Sequence, residues 1–220
     1  MATRTKGRPA HDDDRGQART RLARRAVVEA ARSLFLERGY AATTIEAVSH
    51  RSDVPQATVY RLFTSKLGIL KALLDVSVAG DDQGLTLQDR PQIAAIFAEP
   101  DPKKLLAGFA DISVSINTRS ADIYSILVSA AGSDPDAAAL HGDYMGMRDQ
   151  GQGLIATVLA RAGALRVGMK ERDAADIIHA LMSPDLYRLL VKDRSWTPRR
   201  YERWLTDALI GQLLLPAARE

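Results

Sequence analysis

The stretch SDVPQATVYRLFTSK, residues 52 to 66, constrains the fold more than any other part of the chain. Pro55 suits the first turn of a helix, where its missing N–H costs nothing, and its ring discourages Val54 from continuing a preceding helix. Two short helices must therefore meet here at a tight turn. Val54, Val59, Leu62 and Phe63 can pin the second helix inward, which leaves Gln56, Ala57, Thr58, Tyr60 and Arg61 mainly outside. Upstream, Thr43 to Glu46 reads as a Thr-x-x-Glu capping box opening a short helix to about Arg51, with Ile45 and Val48 inward. Before it, Ala23, Val27, Ala30 and Leu34 recur at helical spacing and predict a helix from about Ala18 to Arg38, ended by Gly39. Thr64 or Ser65 can cap a fourth helix over 65 to 79, whose apolar face is Leu67, Leu70, Leu74 and Val78.

Beyond that, Gly80 to Pro91 is polar and predicts a loop between domains. Helical patterns follow at roughly 102 to 118, 121 to 131, 135 to 163, 171 to 192 and 197 to 215. Asp134-Pro135 and Thr197-Pro198 mark two of the starts, and Pro216 stops the last. The reading is all-α: a helix-turn-helix head over 18–79, preceded by an arm over 1–17, and a larger helical domain over 80–220. Few aromatic and β-branched residues and abundant Ala, Leu and Arg agree with it. The chain has no cysteine, so disulfides and thiolate metal sites are excluded. No apolar run approaches the eighteen or so residues of a membrane helix, which predicts a cytoplasmic protein without a membrane partner.

Charge is unevenly placed. Residues 1 to 66 hold 13 Lys and Arg against 7 Asp and Glu, a balance of +6, and the remainder carries −3. A basic head on a mildly acidic body points the head at a polyanion. A helix-turn-helix pair presents its second helix to the major groove of DNA. On that helix Gln56 can read a base edge, Ala57 can approach a thymine methyl, and Arg61 can hold phosphate or guanine. Thr44, Thr58, Tyr60 and Lys66 can bind phosphate oxygens, which positions the protein without reading sequence. Arg4, Lys6 and Arg8 of the arm could enter a minor groove, although Asp12, Asp13 and Asp14 repel phosphate nearby.

The run GYAATTIEAVSHRSDVPQATVYRLFTSKLGILKAL, residues 39 to 73, resembles the DNA-binding signature of tetracycline-repressor-type (TetR) regulators. It shares the Gly-Tyr before the first short helix, the Thr-Thr, the Val in the turn, the Tyr-x-x-Phe and the Ser-Lys before the fourth helix. The resemblance implies base contacts at Gln56 and Ala57 and phosphate contacts at Thr44, Thr58, Tyr60 and Lys66. Where many relatives have Ala-Gly in the turn, this chain has Ser52-Asp53, so Asp53 must adopt left-handed geometry. Leu62 stands where relatives often carry a polar phosphate binder, and no contact is carried over to it.

For the larger domain the resemblance implies a homodimer built on the last two helices and a cavity for a small-molecule effector. Ala174, Ile177, Ile178, Leu181 and Leu189 on one helix, and Tyr201, Leu205, Ala208, Leu209 and Leu213 on the other, supply the apolar stripes. Phe109, Ser113, Asn117, Tyr124, Tyr144 and Met147 are the candidate ligand-binding residues, with His141 a further orienting group and Met145 a hint of an apolar or aromatic ligand. Neither catalytic residues nor a cofactor are expected: His11, His50, His141 and His179 lack zinc spacing, and the glycines at 151 and 153 follow no strand. The expected function is a DNA-binding transcriptional regulator, a repressor released from a palindromic double-stranded DNA operator by a small, hydrophobic effector. Alternatives are a helix-turn-helix regulator answering to a protein partner or to no small molecule, and a ligand-binding or enzymatic helical protein whose head no longer binds DNA.

Overall fold

The computed structural model describes residues 10–80 and 90–215. Arg4, Lys6 and Arg8 lie outside them, as does most of the expected 80–91 loop. The chain divides into two compact units that part between Leu73 and Leu74, inside the fourth helix. Every regular element among the described residues is helical, with a single isolated bridge between Leu165 and Leu214.

In the first unit α1 runs over Ala10–Ala42, α2 over Ile45–Ser52, α3 over Gln56–Phe63, and α4 over Lys66–Ala79. Helix α1 therefore starts eight residues before the expected Ala18. Gly39 breaks α1 at φ 77°, a left-handed conformation that glycine adopts freely. Thr43 then donates to the Gly39 carbonyl at 2.8 Å. This moves the expected cap by one residue: Thr44 is the N-cap of α2, its Oγ1 accepting from the Ala47 N–H at 3.1 Å, and Glu46 falls in the first turn. Thr43 is instead fully buried.

Asp53 takes φ 54° and ψ 30°, the left-handed geometry required of it, and the buried Val54 carbonyl accepts from the Ser49 hydroxyl at 2.7 Å. Pro55 sits at the N-cap rather than inside α3. Val27, Leu34, Phe35, Val48, Val59, Phe63, Ile69 and Leu70 form the head's interior. Leu62 is only half-buried. Ser65 caps α4 through the Gly68 N–H at 3.0 Å.

In the second unit α5 spans Pro91–Phe97, α6 Pro102–Ala131, α7 Pro135–Arg161, α8 Glu171–Leu181, α9 Pro184–Tyr187 and α10 Pro198–Leu213. Helix α5 lies within neither expected helix nor loop; seven residues are too few to display a period. The two patterns at 102–118 and 121–131 are one helix. Polar residues at the apparent break bond within it: Thr118 donates to the Val114 carbonyl at 2.7 Å and Ser120 to Ile116 at 2.9 Å. The pattern at 171–192 is conversely divided. Ser183 caps a new turn at the Leu186 N–H, Pro184 opens it, and a wide π turn over Arg188–Asp193 follows.

Helix α6 packs against α7, α9 and α10, and α7 against α8. Leu105, Leu106, Ile155, Leu159, Ile178, Leu205 and Leu209 belong to the shared core. Tyr187 and Tyr201 meet edge to face within it at 5.2 Å. Burial raises the Tyr201 phenol above its ordinary pKa, with Tyr187 adding to the shift.

Between α3 and α4 the chain leaves no room at Gly68. A Cβ there would lie 2.0 Å from the Phe63 carbonyl oxygen, a backbone atom that cannot swing aside. Gly68→Ala is expected to destabilise the head by about 3 kcal/mol, near the upper end for overpacking. Urea denaturation monitored by circular dichroism measures it, and an unchanged midpoint would refute the packing described.

Candidate DNA-binding surface and buried polar seam

The head exposes Gln56, Ala57, Tyr60 and Arg61 on one side of α3, while Val59 and Phe63 are buried on the other. Thr58 is half-buried. Spacings of three and four residues place Gln56 beside Tyr60, and Ala57 beside both Tyr60 and Arg61, so their side chains form one patch at the first two turns. Thr44 is exposed but its oxygen already caps α2. It can still donate its hydroxyl hydrogen to a phosphate.

Lys66 occupies a different position from the one expected of a free phosphate ligand. Its ammonium donates to the Tyr40 carbonyl at 2.7 Å and the Ala41 carbonyl at 3.5 Å, and stands 4.2 Å from the Tyr40 ring centroid. It therefore closes the carbonyl end of α1, which α1's break at Gly39 exposes. Two further contacts, not anticipated from sequence, brace the head, one at α3 and one between α2 and α1. Arg24 donates to the Leu62 carbonyl at 3.4 Å and lies over the Phe63 ring at 4.7 Å. Arg51 makes a two-pronged pair with Glu37 at 2.8 and 2.9 Å, which lowers the Glu37 carboxyl below its ordinary range. Both partners are exposed, so the pair orients α2 on α1 more than it stabilises the head.

The second unit contains a buried polar seam. Along α6, Ser113, Asn117, Ser120 and Tyr124 recur at spacings of four, three and four and are all buried. Asn117 donates to the Met182 carbonyl at 3.4 Å and reaches Ser113 Oγ at 3.5 Å. Tyr124 meets His141 Nε2 at 3.2 Å and Met145 Sδ at 3.6 Å. Its ring packs on Tyr144 at 5.4 Å and on His141 at 5.7 Å. Burial raises both the Tyr124 and the Tyr144 phenols above their ordinary pKa, so each remains a neutral hydrogen-bonding group.

The expected ligand residues therefore separate. Ser113, Asn117, Tyr124 and Tyr144 converge on this seam. Phe109 sits one turn before Ser113 and packs edge to face on Phe97 at 5.0 Å. Met147 lies apart, 58% exposed on α7.

Arg148 was missed. Its guanidinium donates to the His179 carbonyl at 3.3 Å, the Met182 carbonyl at 3.4 Å and Met145 Sδ at 3.6 Å. The signal was present: Tyr144, Arg148 and Gln152 recur every four residues along a helix otherwise rich in Ala, Gly and Leu. The opposite side of α6 carries a second cation. Arg119 donates to the Ser77 carbonyl at 3.1 Å, the Val78 carbonyl at 3.3 Å and Ser115 Oγ at 2.7 Å. It thereby holds the carbonyl end of α4.

Residues 27–73 match the family described as bacterial regulatory proteins, tetR family. The chain belongs to the TetR family. Its head is a TetR-type helix-turn-helix DNA-binding domain. A relative in Bacillus subtilis (strain 168), the uncharacterized HTH-type transcriptional regulator YdeS, is 24% identical over 184 residues, which is 80% of this chain and 83% of that one. Two solved structures share the fold across both units. One is a putative transcriptional regulator from Saccharomonospora viridis in complex with choline (TM-score 0.66, 19% identity, 87% of this chain and 97% of that one). The other is NalD, the secondary repressor of the MexAB-OprM multidrug efflux pump in Pseudomonas aeruginosa (TM-score 0.65, 22% identity, 87% and 96%). Among the described residues no helix is long and apolar enough to cross a membrane, and no cluster of His, Asp and Glu could hold a metal ion.

The Lys66 geometry yields a prediction peculiar to this TetR-type head. Lys66→Met keeps the aliphatic stem and deletes two charge-assisted hydrogen bonds. Chemical denaturation is expected to show a loss of about 2 kcal/mol in the absence of DNA. Unaltered stability would mean that the ammonium serves DNA alone.

Proposed function

We propose that this TetR-family chain is a dimeric repressor that leaves a palindromic operator when a small molecule occupies the seam of its second unit. Gln56 and Ala57 read base edges, while Thr44, Thr58, Tyr60, Arg61 and Lys66 hold the phosphate backbone. A two-fold dimer would set two recognition helices roughly 34 to 36 Å apart on adjacent half-sites, or further on a longer operator. The stripes on α8 and α10 are largely consumed by the chain's own core, since Ala174, Ile178, Tyr201, Leu205, Leu209 and Leu213 are buried. Exposed Leu189 and half-buried Ile177, Leu181 and Ala208 remain for a partner copy. The solved relative that holds choline and the relative that is a repressor support the reading.

One observation carries it. Helix α6 faces the polar seam with Ser113, Asn117 and Tyr124, and with Arg119 it grips the last carbonyls of α4, the helix that continues out of the head. A ligand that shifts α6 must shift those carbonyls. Operator and ligand then oppose each other through one coupling energy, commonly about 1 to 3 kcal/mol.

The test begins with selection of bound duplexes from a random pool at low salt, followed by release with metabolite mixtures. Failure to retain any duplex would end the proposal. On the selected operator, Gln56→Ala is expected to relax discrimination at one position at a cost of about 1 to 3 kcal/mol there. Lys66→Ala should instead weaken all sequences and flatten the salt dependence. Arg119→Met is expected to keep operator affinity within about threefold while reducing effector-driven release about tenfold, as titration of labelled operator would show. Full release by that variant would remove Arg119 from the route.

A further inference from the structure

Resting on the reading of the seam as the effector site, we propose that the effector is a small organic acid, whose carboxylate is received by Arg148 and whose apolar or aromatic body lies against Tyr124 and Tyr144. The argument begins with charge. Arg148 is a half-buried guanidinium whose partners are two backbone carbonyls and a thioether sulfur. Among the described residues no carboxylate lies within 4.0 Å of it. Asp185 acts electrostatically on both Arg148 and Tyr124 but is not in ion-pair contact with the guanidinium. Burying an unpaired charge is costly, and proteins ordinarily match it with an opposite one. Carbonyl dipoles and sulfur answer only part of that cost.

The neighbours are incompletely satisfied as well. Gln152, one turn along α7 from Arg148, has a buried side-chain oxygen with no hydrogen-bond partner. His179, whose carbonyl Arg148 holds, has a buried Nδ1 without a partner. Native interiors leave few such atoms, and two of them on residues adjoining one cation mark a place where a ligand completes the bonding. The seam is also rich in donors: the Asn117 amide, the Ser113 hydroxyl, the phenols of Tyr124 and Tyr144, and the guanidinium itself. A carboxylate accepts up to four hydrogen bonds and suits the forked face of Arg. An amine or quaternary ammonium would meet Arg148 with like charge, so choline, the ligand of the Saccharomonospora viridis relative, is the wrong class here.

The same geometry supplies a trigger. Arg148 donates to the His179 and Met182 carbonyls at the end of α8, and Asn117 donates to the same Met182 carbonyl from α6. A carboxylate competes for both donors. Acid binding therefore loosens α8's end and frees Asn117, two residues from the Arg119 that holds α4.

The experiment uses the full chain with matched triplets: benzoate, benzamide and benzylamine; phenylacetate, phenylacetamide and phenethylamine; hexanoate, hexanamide and hexylamine; and choline beside them. Calorimetry and thermal shift measure binding, and labelled selected operator measures release. At least one acid is expected to bind about tenfold or more tightly than its amide. Arg148→Gln should bring that acid to the level of the amide and leave the amide unchanged, while Arg148→Lys keeps part of the preference. The acid-against-amide comparison on the unaltered protein decides the matter even if Arg148→Gln does not fold. The proposal is overturned if an amide or amine binds as well as its acid, if the preference survives Arg148→Gln, or if no acid binds at millimolar concentration. A neutral or cationic compound that releases operator overturns the acid class alone; operator that neither the panel nor whole-cell metabolite extract can release defeats the ligand-released reading beneath it.

Discussion

The hydrogen bonds from Arg119 to the last carbonyls of α4 are the constraint on which the rest of the molecule's logic depends. A helix end has free carbonyls that must find donors, and water usually supplies them. Here a guanidinium from α6 supplies them instead. Gly80 immediately follows at φ 87°, and a Cβ on it would stand 3.3 Å from the same guanidinium. The end of α4 is thus fixed to a helix whose other face is a buried polar seam. Helix α4 also carries the head's core residues Ile69 and Leu70, and the proposed mechanism relies on that continuity.

Helix α6 can do this because its polar residues are arranged by period rather than clustered by chance. Ser113, Asn117, Ser120 and Tyr124 form an interior ladder, and Ser115 and Arg119 form a separate pair. Thr118 is oriented toward α9 by its bond to the Tyr187 hydroxyl at 2.9 Å. Three consecutive side chains, Asn117, Thr118 and Arg119, therefore contact the end of α8, α9 and α4 respectively. A small rotation of this helix changes all three. A continuous apolar face would tolerate such a rotation, whereas hydrogen bonds with fixed partners resist it until another donor or acceptor intervenes.

The head was legible in the sequence because its determinants are local. Pro55, Asp53 and the Thr-Thr pair act within a few residues, and the inward positions Val59 and Phe63 obey the helical period directly. The choice of cap is local as well: both threonines suit the position, and the break at Gly39 buries Thr43 and leaves Thr44 to cap α2. The second unit was legible only as helices and stripes. Asn117 and Met182 are 65 residues apart, and Thr118 and Tyr187 are 69 apart. No periodicity reports such pairings. The apparent break in α6 had the same origin, since Asn117 to Ser120 resemble a loop until their partners are known. The chemistry of Met147 suits an apolar site, but its helix turns it to solvent, while Arg148 beside it is half-buried.

The scale of these contacts suits the task. A coupling of about 1 to 3 kcal/mol is enough to change operator affinity by roughly fivefold to a hundredfold or more. One charge-assisted hydrogen bond contributes about 1.5 to 3 kcal/mol net. Regulation of the proposed kind therefore requires neither unit to unfold nor the core around Leu105, Leu159 and Leu205 to repack. Exchanging one or two donors at the end of α8, with the strain passed along α6 to Arg119, is of the right size. The proposed exchange is also reversible, because every group that loses a partner in it would regain that partner when the ligand departs.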